Sequence, residues 1–166
     1  MVAAADGAGR ELTVIRYEDI HHIAFVTADL QRGMEEVGEV YGVEWTTPRH
    51  IELPVRDSRG DRTINLSVVY SRQGPLFLEV LQAVPDSVWA LTPGSHLHHI
   101  GVHVDDVEVE IERLEGLGQA IEAAGIGPGG RLNSWAYLQS EQALRVEIMD
   151  ISGREGTARW ARGEIE

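Results

Sequence analysis

Cysteine is absent from this chain of 166 residues. That excludes disulfides and thiolate ligands, so any metal must be held by imidazole and carboxylate groups. Positive charge is scarce: 14 Lys plus Arg stand against 27 Asp plus Glu, for a formal net charge of −13. Such a surface repels nucleic-acid phosphates and anionic membranes, although it suits a cationic ligand or simple solubility. Long apolar runs are missing as well, and no segment approaches the ~20 residues of a membrane span. The opening MVAAADGAGRE lacks both the basic start and the apolar stretch of a signal peptide. The expectation is a cytoplasmic protein. Length and an ordinary 43% apolar content suit one domain, or two small modules sharing a core.

What the chain does have is a repeat. LHHIGVHVDD (Leu97 to Asp106) restates IHHIAFVTAD (Ile20 to Asp29) with an offset of 77, aligning His21 with His98, His22 with His99 and Asp29 with Asp106. PLFLEVLQ (Pro75 to Gln82) and ALRVEIMD (Ala143 to Asp150) form a second pair of runs, in which Glu79 overlies Glu147 with an offset of 68. Each half opens on a His-His strand and closes on a strand with a central Glu. Fixed-period self-similarity of this kind sets the architecture before any local reading.

Taken in order, residues 1–16 read as a flexible arm, with ELTVIRY at 11–17 as a possible lead-in strand. Residues 17–83 form the first module, 84–96 a linker marked by Pro85, Pro93 and Gly94, 97–151 the second module, and 152–166 a C-terminal tail. In each module an Asp (Asp29, then Asp105 and Asp106) sits where an N-cap belongs, followed by apolar residues at helical spacing. VEW at 43–45 begins a second strand, and residues 47–62 read as a loop or ragged hairpin. INLSVVY with LFLEVLQA, and WAYLQ with LRVEIMD, supply the remaining strands, with a short one at 119–123. The glycine-dense segment Gly125 to Arg131 lacks the Lys-Ser/Thr and helix start of a phosphate loop and reads as a loop only. The fold class expected is α+β: two tandem β-α-β-β-β modules forming an open curved sheet around a cleft.

Successive side chains on a strand face opposite ways, so strict alternation puts one His of each pair in the cleft and the other under the helices. Alternation alone does not fix which. Placing the bulky Ile100, Val102 and Val104 in the core turns His99, Gly101 and His103 inward, and in the first module turns His22 inward. Phe77, Glu79 and Leu81, and likewise Arg145, Glu147 and Met149, share inward faces. A lone buried carboxylate in LFLEVL or LRVEIM is costly. Two carboxylates and two imidazoles meeting at a divalent cation remove that cost and leave a neutral site. His21 and His98 read as structural, and His50 and His96 fall in loops. His103 lies about 13 Å along the strand from His99 at ~3.3 Å per residue, within reach of substrate and beyond reach of the same ion.

On these residues the chain resembles the vicinal oxygen chelate superfamily of glyoxalase I, methylmalonyl-CoA epimerase, extradiol dioxygenases and bleomycin- or fosfomycin-resistance proteins. LHHIGVHVDDVEVEIERLEGLG is similar to the second-module opening of the epimerases, and FLEVLQAV to their fourth-strand ligand segment. The resemblance spans residues 17–151. It implies His22, Glu79, His99 and Glu147 as ligands of a Ni, Co, Mn or Zn ion, with two coordination positions open to substrate. It also implies a lyase, isomerase or epimerase working through an enolate on a small carbonyl or thioester substrate, with Glu147 or Glu79 as the base. His103, Asn65, Trp135, Tyr137 and Arg145 are the candidates for substrate contact. The strand where the epimerases carry a second carboxylate base is here INLSVVY, with Asn65 and no acid, which counts against two-base epimerisation. Two other classes share the fold: an extradiol-type oxygenase with iron on His22, His99 and Glu147, and a metal-free drug-binding protein. A homodimer is the expected assembly, from exposed sheet edges and an apolar first-module helix.

Overall fold

The computed structural model describes residues 16–139, 141 and 144–165. The expected arm and most of the lead-in strand lie outside the described residues. The first module comprises β1 (Ile20–Thr27), α1 (Leu30–Tyr41), β2 (Arg49–Asp57), β3 (Gly60–Tyr70) and β4 (Phe77–Gln82). The second comprises β5 (Leu97–Val104), α2 (Val107–Gly116), β6 (Ala120–Ile126), β7 (Leu132–Gln139) and β8 (Val146–Asp150), followed by α3 (Arg154–Ala161). Both long helices start as their sequence demands. The Asp29 carboxylate accepts from the Arg32 backbone N–H at 3.0 Å, and that of Asp106 from Val109 at 3.0 Å. Gly42, at φ 67°, closes α1 in the left-handed conformation that glycine adopts without strain.

The second strand is not where VEW suggested. Trp45 makes only an isolated bridge to Ser71, and the strand β2 occupies the segment expected to be a loop. Its charges misled: Ile51, Leu53 and Val55 alternate inward while His50, Glu52, Pro54 and Arg56 alternate into solvent. Pro54 is tolerated because β2 meets β6 only at Val55–Asp57, so the side of Pro54 away from β3 has no ladder to break. His50 is thus a strand residue, bonded through Nδ1 to the Ser67 hydroxyl at 2.7 Å. The region 152–166, expected as a tail, contains a helix that packs back on the barrel.

The eight strands close in the order β1-β4-β3-β2-β6-β7-β8-β5. The sheet is therefore a closed barrel rather than the open curved sheet expected. Within each module the first and last strands run parallel, β1 with β4 and β5 with β8. Antiparallel pairs β1–β5 and β2–β6 join the modules. Each described strand has two neighbours, so the exposed edges invoked for a homodimer are paired within the chain. The barrel interior is filled by Ala24, Val55, Leu66, Val68, Tyr70, Leu81, Trp89, Tyr137 and Trp160. A second cluster sits outside, where Val107, Ile111 and Leu114 of α2 cover Ala136, Leu138 and Ile148. Two plugs come from outside the sheet. Trp89 of the linker is 1% exposed and donates its indole N–H to the Tyr137 hydroxyl at 3.3 Å. Trp160 of α3 stands edge-on to Tyr70, ring centroids 5.0 Å apart, under the Arg49 guanidinium at 4.2 Å. Among the described residues no helix is long and apolar enough to cross a membrane.

Candidate metal centre

The β1–β5 ladder carries two register breaks, and each falls on a His-His pair. Ile20 faces Val102 and His22 faces Gly101, which leaves His21 as the extra residue on β1. Ala24 faces His99 and Phe25 faces Leu97, which leaves His98 as the extra residue on β5. A bulge interrupts alternation. The expectation that one histidine of each pair lies under the helices is therefore corrected: all four rings are buried among the side chains of the barrel interior. His21 meets His22, Tyr70 and Phe77, and His98 meets His99 and Tyr137.

Four groups, two from each module, converge at the centre. His22 Nε2 lies 2.8 Å from His99 Nε2. Glu79 Oε2 is 3.5 and 3.4 Å from these two nitrogens, and Glu147 Oε2 is 3.2 Å from both. Gly101 makes room for this arrangement, since a Cβ there would run into the His22 ring.

Hydrogen bonding fixes the tautomers. The Val88 carbonyl can only accept, so His98 donates to it from Nε2, at 2.8 Å. Burial holds the His98 pKa down at about 3, keeping the ring neutral, so its Nδ1 accepts from His99 Nδ1–H at 2.7 Å. His99 Nε2 is then a bare lone pair aimed at the centre. The His21–His22 pair repeats the contact, Nδ1 to Nδ1 at 3.0 Å, with the Tyr70 hydroxyl 3.3 Å from His22 Nδ1.

Two imidazole nitrogens 2.8 Å apart need either a ring N–H between them, His22 Nε2 donating to the His99 lone pair, or a metal ion. A proton shared by the nitrogens would leave Glu79 Oε2 buried with no hydrogen-bond partner. A divalent ion would satisfy all four groups and neutralise both carboxylates. The spacings fit as well, because ligand atoms ~2.0–2.2 Å from an ion stand about 2.8–3.6 Å apart in octahedral or tetrahedral geometry. His22, Glu79 and His99 form a buried group with metal-ligand spacing, and Glu147 joins them through its contacts with both rings.

Without an ion the electrostatics are polarised. Burial pushes the Glu79 carboxyl up, against the pull of His22 and His99. Burial also opposes ionisation of Glu147, but His99 and His22 outweigh it and hold that carboxyl well below the usual range. For His22, burial disfavours the charge, yet Glu79 and Glu147 together carry its pKa upward.

A pair of tyrosines completes the pseudo-twofold. Tyr70 is the cross-strand partner of Glu79, and Tyr137 that of Glu147. Both are buried, and burial drives both phenols well above their ordinary value. Tyr137 was among the substrate candidates; Tyr70 was missed, although its place on the strand before Glu79 mirrors that of Tyr137 before Glu147. Trp89 and Trp160 were missed too, because nothing local marks a linker or tail residue as part of a barrel interior.

The other candidates separate. Trp135 and Tyr137 line a cavity of about 280 Å³ that also opens on Tyr70, Glu79 and Glu147 and is roofed by Thr157 and Trp160. Asn65 does not reach it: Ile64, Leu66 and Val68 are the inward residues of β3, and Asn65 is exposed on the outer face. Arg145 is drawn away from the cavity by Glu122, at 2.5 Å, and by the His98 carbonyl, at 3.3 Å. His103 lies against His21 instead, ring centroids 4.9 Å apart, in a different pocket. His96 bonds the Val26 carbonyl at 3.0 Å.

Comparison with known proteins agrees with this architecture. Residues 21–137 match a family model described as the Glyoxalase/Bleomycin resistance protein/Dioxygenase superfamily. A 2-epi-5-epi-valiolone epimerase of Actinomyces sp is 28% identical over 153 residues, covering 80% of this chain and 79% of that protein. A variant of the Streptomyces coelicolor methylmalonyl-CoA epimerase, in complex with 2-nitronate-propionyl-CoA, superposes with a TM-score of 0.53 at 19% identity, over 80% of this chain and 96% of that one. The Mycobacterium tuberculosis methylmalonyl-CoA epimerase gives 0.53 at 12% identity, over 88% and 98%. At these identities the two structures speak for the fold alone.

Proposed function

The chain belongs to the glyoxalase/bleomycin resistance protein/dioxygenase superfamily, and on that premise we propose that it is a metal-dependent epimerase acting on the carbon next to a carbonyl, through an enolate. The observation that carries this reading is the pair of carboxylates, Glu79 and Glu147, placed on one small cavity by equivalent strands of two modules. His22, Glu79, His99 and Glu147 would hold a divalent ion, which supplies a Lewis acid for negative charge growing on the carbonyl oxygen. For turnover Glu79 would detach and take a proton from solvent, as its burial favours. Glu147 would then accept the proton from the α carbon while Glu79 gives its own to the opposite face, so that the two carboxyls exchange charge. Removal by one carboxylate and return by the other inverts the carbon. A two-base mechanism therefore does not need an acid at Asn65.

Tyr70 and Tyr137, the cross-strand partners of the two carboxylates, line the same cavity beside them. Trp89, Trp135 and Trp160 keep water away from the carbanionic species. The roof formed by α3 and the modest volume favour a small free carbonyl compound over a thioester, whose carrier would have to pass that roof. Similarity to an epimerase named for a valiolone points the same way. The closeness of Glu79 to both histidines supports a four-group site over the three-group iron site of an extradiol oxygenase.

Metal analysis of protein purified without added metal tests the site. About one non-iron divalent ion per chain is the expected result; iron would favour the oxygenase, and none would end the metal reading. Incubation with small polyhydroxylated ketones in deuterated water tests the chemistry, which should exchange the α proton for deuterium. Purified, metal-loaded protein that exchanges no α proton would remove the epimerase.

A further inference from the structure

The pseudo-twofold symmetry of the centre breaks at one atom. In the second module His98 Nε2 donates to the Val88 carbonyl. In the first module the equivalent atom, His21 Nε2, is buried and has no partner among the described residues. The His21 ring lines a pocket of about 690 Å³ between the start of β1, the turn before β4, β5 and α3. His103 lines the same pocket, 5% exposed, and among the described residues neither of its ring nitrogens has a hydrogen-bond partner. The Asp150 backbone is near that ring but not in hydrogen-bond geometry. Nine-tenths-buried imidazoles with open nitrogens are expensive unless something completes them.

The chemistry of that something follows from the tautomers, and so rests on the metal reading of the previous subsection. With His22 Nε2 given to the ion, His22 Nδ1 carries the proton and donates to His21 Nδ1. His21 Nε2 is then a donor in need of an acceptor, the part Val88 plays for His98. His103, kept neutral by burial, adds one further donor. Arg154 lines the pocket, exposed and with no ion pair among the described residues, whereas Asp19 and Glu18 on the same rim are both engaged by Arg16. Ile20, Leu76, Phe77 and Pro75 make the remaining wall apolar.

We propose that this pocket is a second ligand site, for a small carboxylic acid whose carboxylate accepts from His21 Nε2 and His103 beside Arg154 and whose apolar body lies against Ile20, Leu76 and Phe77. The cavity of the metal centre shares no lining residue with it. A carboxylate on His21 would extend the hydrogen-bonded chain that orients His22, as outer partners of ligating histidines do.

Titration of the metal-loaded protein with benzoate, and with benzamide as the neutral control, tests the site by calorimetry and by histidine-ring nitrogen spectra. Benzoate is expected to bind saturably and at least about tenfold more tightly than benzamide. It should shift the ring signals of His21 and His103 and leave that of His98 in place. Arg154→Gln, at an exposed position, should weaken it about tenfold, and His103→Phe should abolish it. Metal binding should tighten in return, by the reciprocity of linked equilibria. Absence of saturable benzoate binding, equal binding of benzamide, or indifference to both substitutions overturns the site. Metal content of the same sample is read separately: an empty sample removes the metal reading, and the titration decides the pocket in either case.

Discussion

Gly101 sets the position of the His22 ring, because the ring occupies the space a Cβ would fill. Gly101→Ala should displace the imidazole and weaken metal binding at least about tenfold, with the barrel retained; that factor is the outer-partner scale applied to a displaced ligand. Calorimetric titration with Zn or Co checks it, and unchanged affinity would show that His22 is not a ligand. The two carboxylates should respond differently. Glu79→Gln keeps an oxygen at the centre and should lower affinity modestly, while Glu147→Ala removes a group in contact with both imidazoles and should lose metal and turnover together. Full occupancy and activity in Glu147→Ala would refute the assigned roles. At this scale the sequence was informative where a residue is repeated and costly to bury. His22, Glu79, His99 and Glu147 stand out in both copies. Asn65 and Arg145 could not be read, since the orientation of one depends on strand phase and the partner of the other on a strand, β6, distant in sequence.

Among the elements, the helices were the most legible. Capping is local chemistry, and the Asp29 and Asp106 N-caps stand where the spacing put them. The strand β2 was not, because its solvent face carries the charges and proline that elsewhere mark a loop. The bulges at His21 and His98 were invisible for a related reason: a bulge belongs to a pair of strands, and β1 and β5 are 77 residues apart in the chain. The helix α3 owes its place to Trp160. That indole is 5% exposed, packed on Tyr70 and under Arg49. Trp160→Ala should cost about 3 kcal/mol of stability, as large-to-small changes at buried aromatics do. It should also open the roof and lower turnover. Denaturant unfolding and steady-state rates check both. A variant as stable as the parent would mean that α3 does not seal the cavity.

For the whole molecule, the buried histidines tie stability to pH. Burial holds both His21 and His98 at about 3, against an ordinary 6.5. The unfolded chain therefore binds protons that the native one refuses, so their contribution is present above about pH 6.5 and is lost as the pH falls toward 3, at up to ~1.4 kcal/mol per pH unit for each. In the metal-free protein, His98→Gln removes one of these groups and should lose less thermal stability than the parent between pH 7 and pH 4. Equal slopes would show that His98 is not held neutral. A metal held by His22, Glu79, His99 and Glu147 would bridge the two modules and should stabilise their union, by about 2.7 kcal/mol at a hundredfold excess over Kd. A chelator should then lower the melting temperature of the parent and leave that of Glu147→Ala unchanged. The sequence by itself determined the two-module plan, the helix caps and the four residues that meet at the centre, because each follows from local propensity or from a repeat that a single chain displays. Only the tertiary structure decided that the sheet closes into a barrel, that both histidines of each pair turn inward, and that Trp89 and Trp160 seal the cavity. Those outcomes depend on which strands meet at β1–β5 and β2–β6 and on what fills the space they enclose, and side-chain packing across such distances leaves no periodic signal along the chain.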